Sequence, residues 1–200
     1  MSTLPKPAPA RRANRFRTLV WGGAAGLLLL PAVAMHLDAP GVHWTGSDFL
    51  VMGLLLAAVC GLYEFATRRR AGTAWRAGFA LALAAAFLTV SVNLAVGMLG
   101  GEGDPLNLLF VAVLLVAAVG ALRAKFRARG MARAMALTAL AQLVAALAGL
   151  GVGLASADGD AGRLSLLREI VLVAAFALPW GASALLFRRA DARRHLVPHD

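Results

Sequence analysis

Two pairs of polar side chains inside long apolar runs carry the spacing that chemistry or tight packing would need. Thr89 and Asn93 are four residues apart within WRAGFALALAAAFLTVSVNLAVGMLGGEGD, from Trp75 to Asp104. A helix places them on one face, extended by the small residues Ala82, Ala86 and Gly97. Thr138 and Gln142 repeat the device, followed by Ala146, Gly149 and Gly153. An amide surrounded by hydrocarbon must find a partner, and small neighbours let a second backbone approach closely enough to supply one. Asn93 and Gln142 are therefore expected first as contacts between helices, each contributing on the order of 1 kcal/mol. The same amides are also placed to line a site for a polar solute.

A second constellation lies at one end of several apolar runs, where His36, Asp48, Asp104 and Asn107 all fall. Asn93 lies about 10 Å from that end at the helical rise of ~1.5 Å per residue. Together these groups would make an acidic vestibule suited to a cation or a protonatable ligand. Loops that exclude Lys and Arg are acidic by default, however, which is the plainer reading. His36, Asp38, His43 and Asp48 have the composition of a metal site but none of the spacings that fix metal geometry, so no metal is expected.

Nucleophilic and hydrolytic chemistry has no carrier. There is no G-x-S-x-G, no Ser-Lys pair and no pair of aspartates inside an apolar run. No Asp, Glu, Lys, Arg or His sits in the middle of such a run to relay protons, and paired histidines for haem are missing. The expectation is a protein that is not an enzyme and carries no cofactor.

The elements that must position these residues follow from composition. Hydrophobic residues make up 60% of the 200-residue chain and charged residues 15%, outside the range of soluble cores. The apolar residues fall into six runs long enough to cross a bilayer, at about 18–37, 49–67, 74–99, 106–122, 131–154 and 166–187. Residues 1–17, with Pro5, Pro7 and Pro9 before four arginines, read as a disordered basic tail, and residues 188–200 as a short charged one. Ser47 and Asp48 are placed to cap the second run, and the polar stretch from Ser156 to Ser165 reads as a loop.

The formal net charge of +10 is distributed in clusters. Five Lys or Arg lie in the N-terminal tail, four near the turn between runs two and three, five between runs four and five, and four after run six. Only Arg163 and Arg168 fall on the opposite side, together with most of the acidic residues. The positive-inside rule then puts both termini in the cytoplasm. Short basic anchors without a folded domain to present them do not suit nucleic acid, so none is expected as a partner.

Other features carry less. A basic segment, an apolar run and Ala32-Val33-Ala34 give residues 1–34 the form of a cleavable signal peptide, though the run continues through Met35 and Leu37. Glu64 stands four residues before Arg68, the order that favours a helix ion pair. The single cysteine, Cys60, excludes an intramolecular disulfide. Gly61, Gly120 and Gly181 each precede a basic residue by seven, a weak sign of a threefold hairpin repeat.

The segments SDFLVMGLLLAAVCGLYE, VNLAVGMLGGEGDPLNLLF and FRARGMARAMALTALAQ resemble a group of small bacterial multi-spanning proteins of uncharacterised activity. The likeness runs from about Trp44 to Gln142 and is densest at Asn93 to Gly97. It implies an inner-membrane location and six spans, and it transfers no functional residue. The expected object is an all-α, six-helix integral membrane bundle in contact with membrane lipids. Its expected role is that of a non-catalytic accessory or homo-oligomeric component, with a second copy or another membrane protein as its partner. The alternative is a small transporter or channel for a cation or polar solute.

Overall fold

The computed structural model describes residues 10–68, 72–99, 103–156 and 159–195, with side chains omitted at 10–16, 156, 194 and 195. Among the described residues no strand occurs, and the helices are α1 Ala10–His36, α2 Gly46–Arg68, α3 Thr73–Ala95, α4 Leu108–Arg123, α5 Ala128–Ser156, α6 Gly159–Ala175 and α7 Ala177–His195. A single 3₁₀ turn, Pro105–Asn107, precedes α4. Six helical stretches are long and apolar enough to cross a membrane, the last of them spanning α6 and α7. Six such stretches suggest a multi-pass membrane protein.

The chain divides into two units, the first ending at Phe65 and the second beginning at Ala66. In the first unit, α1 ends in a Schellman turn. Asp38 takes a positive φ of 50°, its N–H bonds the Met35 carbonyl at 3.2 Å, and the Ala39 N–H bonds Ala34 at 2.9 Å. α2 then starts on a reciprocal capping box. The Asp48 carboxylate accepts from the Thr45 N–H at 2.7 Å, and the Asp48 N–H reaches back to the Thr45 hydroxyl at 3.4 Å. Trp44 packs edge-on against Phe49 at 5.2 Å, the hydrophobic staple that accompanies such a box. At the other end of this hairpin Arg17 meets Glu64 at 3.4 Å, and Trp21 donates to the same carboxylate at 3.4 Å.

In the second unit α5 is the central element, packed against α4, α6 and α7, while α3 lies along α7. The buried positions of α5 include Ala128, Met131, Met135, Thr138, Gln142, Ala145 and Ala146, a stripe at helical spacing. Outward-facing positions are apolar as well, among them Leu137, Leu140, Val144 and Leu147, a distribution suited to lipid rather than water. Glycines mark the close helix crossings, Gly120 and Gly78 among them. A Cβ on Gly120 would lie 2.7 Å from that of Ala134, so α4 and α5 cross almost backbone to backbone. A Cβ on Gly78 would meet Leu186 at 3.2 Å and Phe187 at 3.4 Å where α3 crosses α7. Beside that crossing Trp75 stacks on Phe79 at 5.3 Å and meets Phe187 edge-on at 5.8 Å.

Several boundaries differ from the sequence expectation. The third run was expected to stay helical to Leu99, but α3 ends at Ala95 and Gly97 turns the chain with φ 75°. The sixth run, expected as one helix over 166–187, is two helices parted at Phe176. Pro179 has no N–H for the Ala175 carbonyl, and the chain tightens instead into a Phe176 to Val173 bond at 3.2 Å. Helix also extends past both tails' expected limits, to Ala10 and to His195, and α6 begins at Gly159 within the expected loop. Residues 1–9, Arg69, Arg70 and the glycine-rich exit at Gly100–Glu102 lie outside the described residues.

Candidate functional site

The strongest polar construction in the second unit surrounds Asn107. Its carboxamide oxygen accepts from the Met98 N–H at 2.8 Å and the Leu99 N–H at 3.0 Å, and its Nδ2 donates to the Leu99 carbonyl at 3.2 Å. One side chain thereby replaces the hydrogen bonds that the chain forfeits by leaving α3 early. The local sequence explains its position. Asp104 accepts from the Leu106 N–H at 2.8 Å, Pro105 follows with a preset φ, and the resulting 3₁₀ turn delivers Asn107 buried beneath the strap Met98–Leu99. Sequence reading placed Asn107 only as one more polar group at this end. The signal available was the D-P-L-N order, a capped turn that aims the asparagine back along the chain.

Asn93 joins this construction, its Nδ2 donating to the Asn107 backbone carbonyl at 3.5 Å. Asn93, Asp104 and Asn107 are thus brought together. Asp104 spends a carboxylate oxygen on its own turn. Thr89 is fully buried on the same helix, and its hydroxyl, the Ser91 hydroxyl and the Asn93 carboxamide oxygen have no hydrogen-bond partner. His36 closes α1 and Asp48 sits in the capping box, both in the first unit.

Gln142 is fully buried on α5 and donates through Nε2 to the Val173 carbonyl at 3.0 Å, while its Oε1 has no partner. Thr138 bonds the Ala134 carbonyl of its own helix at 2.9 Å. Ser183, not singled out from sequence, donates to the Gly78 carbonyl at 2.7 Å and ties α7 to α3. The small-residue steps have divided roles. Gly149 receives Leu99 and Gly153 receives Leu166, whereas Gly22 and Gly26 face open space. Gly61 and Gly181 likewise have open surroundings while Gly120 is tightly packed, so the three glycines of the suspected repeat are not equivalent.

Among the described residues no three of His, Cys, Asp and Glu form a group able to hold a metal ion, and His36, Asp38, His43 and Asp48 make none. No family model, curated protein or solved structure matches the chain.

Proposed function

We propose that the chain is a bacterial inner-membrane protein with both termini in the cytoplasm, acting without catalysis as an accessory or homo-oligomeric component. One observation carries this reading. Three buried polar side chains of the second unit spend donors on the protein's own backbone, Gln142 on Val173, Ser183 on Gly78 and Asn107 on Leu99. Groups used in this way hold helices in place and leave little for a ligand to engage. The test is chemical crosslinking in native membranes followed by size analysis in mild detergent. A discrete homo-oligomer or a defined complex is expected; a lone monomer under both conditions overturns it. Reporter fusions after Ser47 and after Arg129 should fall on opposite sides of the membrane, and agreement between them would overturn the topology.

A second reading, passage of a cation or polar solute, is favoured by the unpartnered oxygens of Thr89, Ser91 and Asn93 on α3. Asn93→Leu separates the two. Weakened assembly supports the packing role, and altered solute uptake with assembly intact supports passage.

A further inference from the structure

At the basic end of the second unit, where α5 begins and α7 passes it, the two helices leave a groove of about 420 Å³. Arg129 and Arg133 line one wall with Ala132 and Ala136, the i, i+3, i+4, i+7 positions of one α5 face. Arg188 and Asp191 line the other, one turn apart on α7. Three guanidiniums therefore face one carboxylate, and among the described residues no ion pair joins Asp191 to any of them. Alanine at the intervening positions keeps the space open. The positive-inside rule asks only that arginines be near this end; it does not require three of them on one concavity.

The surface leading away from the groove identifies the ligand class. Continuing the α5 face beyond Arg133 by steps of four, three and four gives Leu137, Leu140 and Val144, exposed to 58%, 58% and 64%. Arg133 to Val144 covers roughly 16 Å at ~1.5 Å per residue, close to one leaflet of a ~30 Å hydrocarbon core. On α7 the position three before Arg188 is Leu185, also exposed. Cationic forks followed by an apolar track of leaflet length reproduce the order of groups in a phospholipid. A soluble phosphate would use the first part and leave the second bare.

We propose that this groove binds the phosphate of an anionic phospholipid through Arg129, Arg133 and Arg188, with its acyl chains along Leu137, Leu140 and Val144. Guanidinium suits this role because its fork pairs with two phosphate oxygens at once. Basic pockets between spans on the cytoplasmic side are where anionic headgroups bind. The site deepens the membrane reading above and rests on it.

The test is native mass spectrometry of the full chain released from nanodiscs of phosphatidylglycerol mixed with phosphatidylcholine. Wild type should retain phosphatidylglycerol preferentially. In the double variant R133Q/R188Q retention should fall about fivefold for each guanidinium lost, the equivalent of ~1 kcal/mol per basic residue. R123Q/R189Q, which removes charge at the same end but outside the groove, should retain it as wild type does. Equal losses in both double variants would reduce the effect to general surface attraction and overturn the site. Displacement of the lipid by inorganic phosphate would assign the groove to a soluble anion and overturn the lipid. Should R133Q/R188Q fail to fold, wild type alone decides: equal retention of oleate, anionic but without phosphate, overturns phosphate recognition. Release of the chain by an alkaline wash of native membranes would instead defeat the membrane reading itself, so the two failures are distinguishable.

Discussion

Gln142 of α5 donates to the Val173 carbonyl of α6 across 3.0 Å, just before that helix ends at Ala175. The same carbonyl also receives the Phe176 N–H at 3.2 Å. Both of its lone pairs are thus engaged at the point where Pro179 removes a donor from the following turn. The amide fastens the end of one helix to the middle of another.

Gln142→Leu removes that donor while keeping side-chain bulk. The expected cost is about 1 kcal/mol, moderated by the loss of an Oε1 that has no partner. The midpoint of unfolding in mild detergent, followed by circular dichroism, should fall slightly. An unchanged or raised midpoint would show that the bond contributes nothing net.

Asn107→Leu should be more severe. It leaves the Met98 and Leu99 N–H groups buried without their acceptor, at ~1–3 kcal/mol each. Hydrogen exchange at these two amides should accelerate well beyond that of mid-α4 amides. Asn107→Asp keeps an acceptor for both and should exchange at an intermediate rate; if it matches the leucine variant, acceptance is not what holds the strap.

Gly120→Ala should destabilise by about 1–3 kcal/mol, because the new methyl would lie 2.7 Å from the Ala134 Cβ. Ala134→Gly in the same chain should recover most of this. A cycle of unfolding midpoints over the four proteins measures the coupling, and strictly additive effects would show that the two positions do not touch.

Lys125 and Phe126 both hold positive φ, 46° and 57°, in the turn between α4 and α5. The Lys125 N–H bonds Leu122 at 2.9 Å and the Phe126 N–H bonds Ala121 at 3.4 Å, a Schellman ending built without glycine. Relief of ~1–2 kcal/mol of left-handed strain by Lys125→Gly outweighs the added chain entropy of ~0.5–1 kcal/mol. The variant should unfold at a slightly higher temperature. A lower one would mean that the lysine side chain itself stabilises the turn.

The number of long apolar helices was legible because hydrocarbon length and charge placement are properties of composition, independent of which helix packs on which. Thr138, Gln142 and Gly149 were legible as one buried face because α5 is regular over its whole length. Ends were less so. Nothing in the apolar run through Leu99 announces that α3 stops at Ala95, since the competing hydrogen bonds come from Asn107 beyond a turn. Asp48 was correctly placed at a helix start, yet its partner is Thr45 rather than Ser47 acting as the cap. Ser183 was missed because a lone serine has no spacing. Its role exists only through Gly78 on a helix about a hundred residues away.

The joint at Phe176 also bears on fit to the bilayer. From Gly159 to Arg193 the last helical stretch counts 35 residues, with charged side chains toward both ends of its apolar middle. Drawn straight it would measure roughly 52 Å at ~1.5 Å per residue, far beyond a ~30 Å core. With the break at Phe176 the stretch becomes two shorter helices, α6 and α7, each packed against α5. In a bilayer, two shorter helices meeting at a joint would need less tilt than one 35-residue rod to fit the same core.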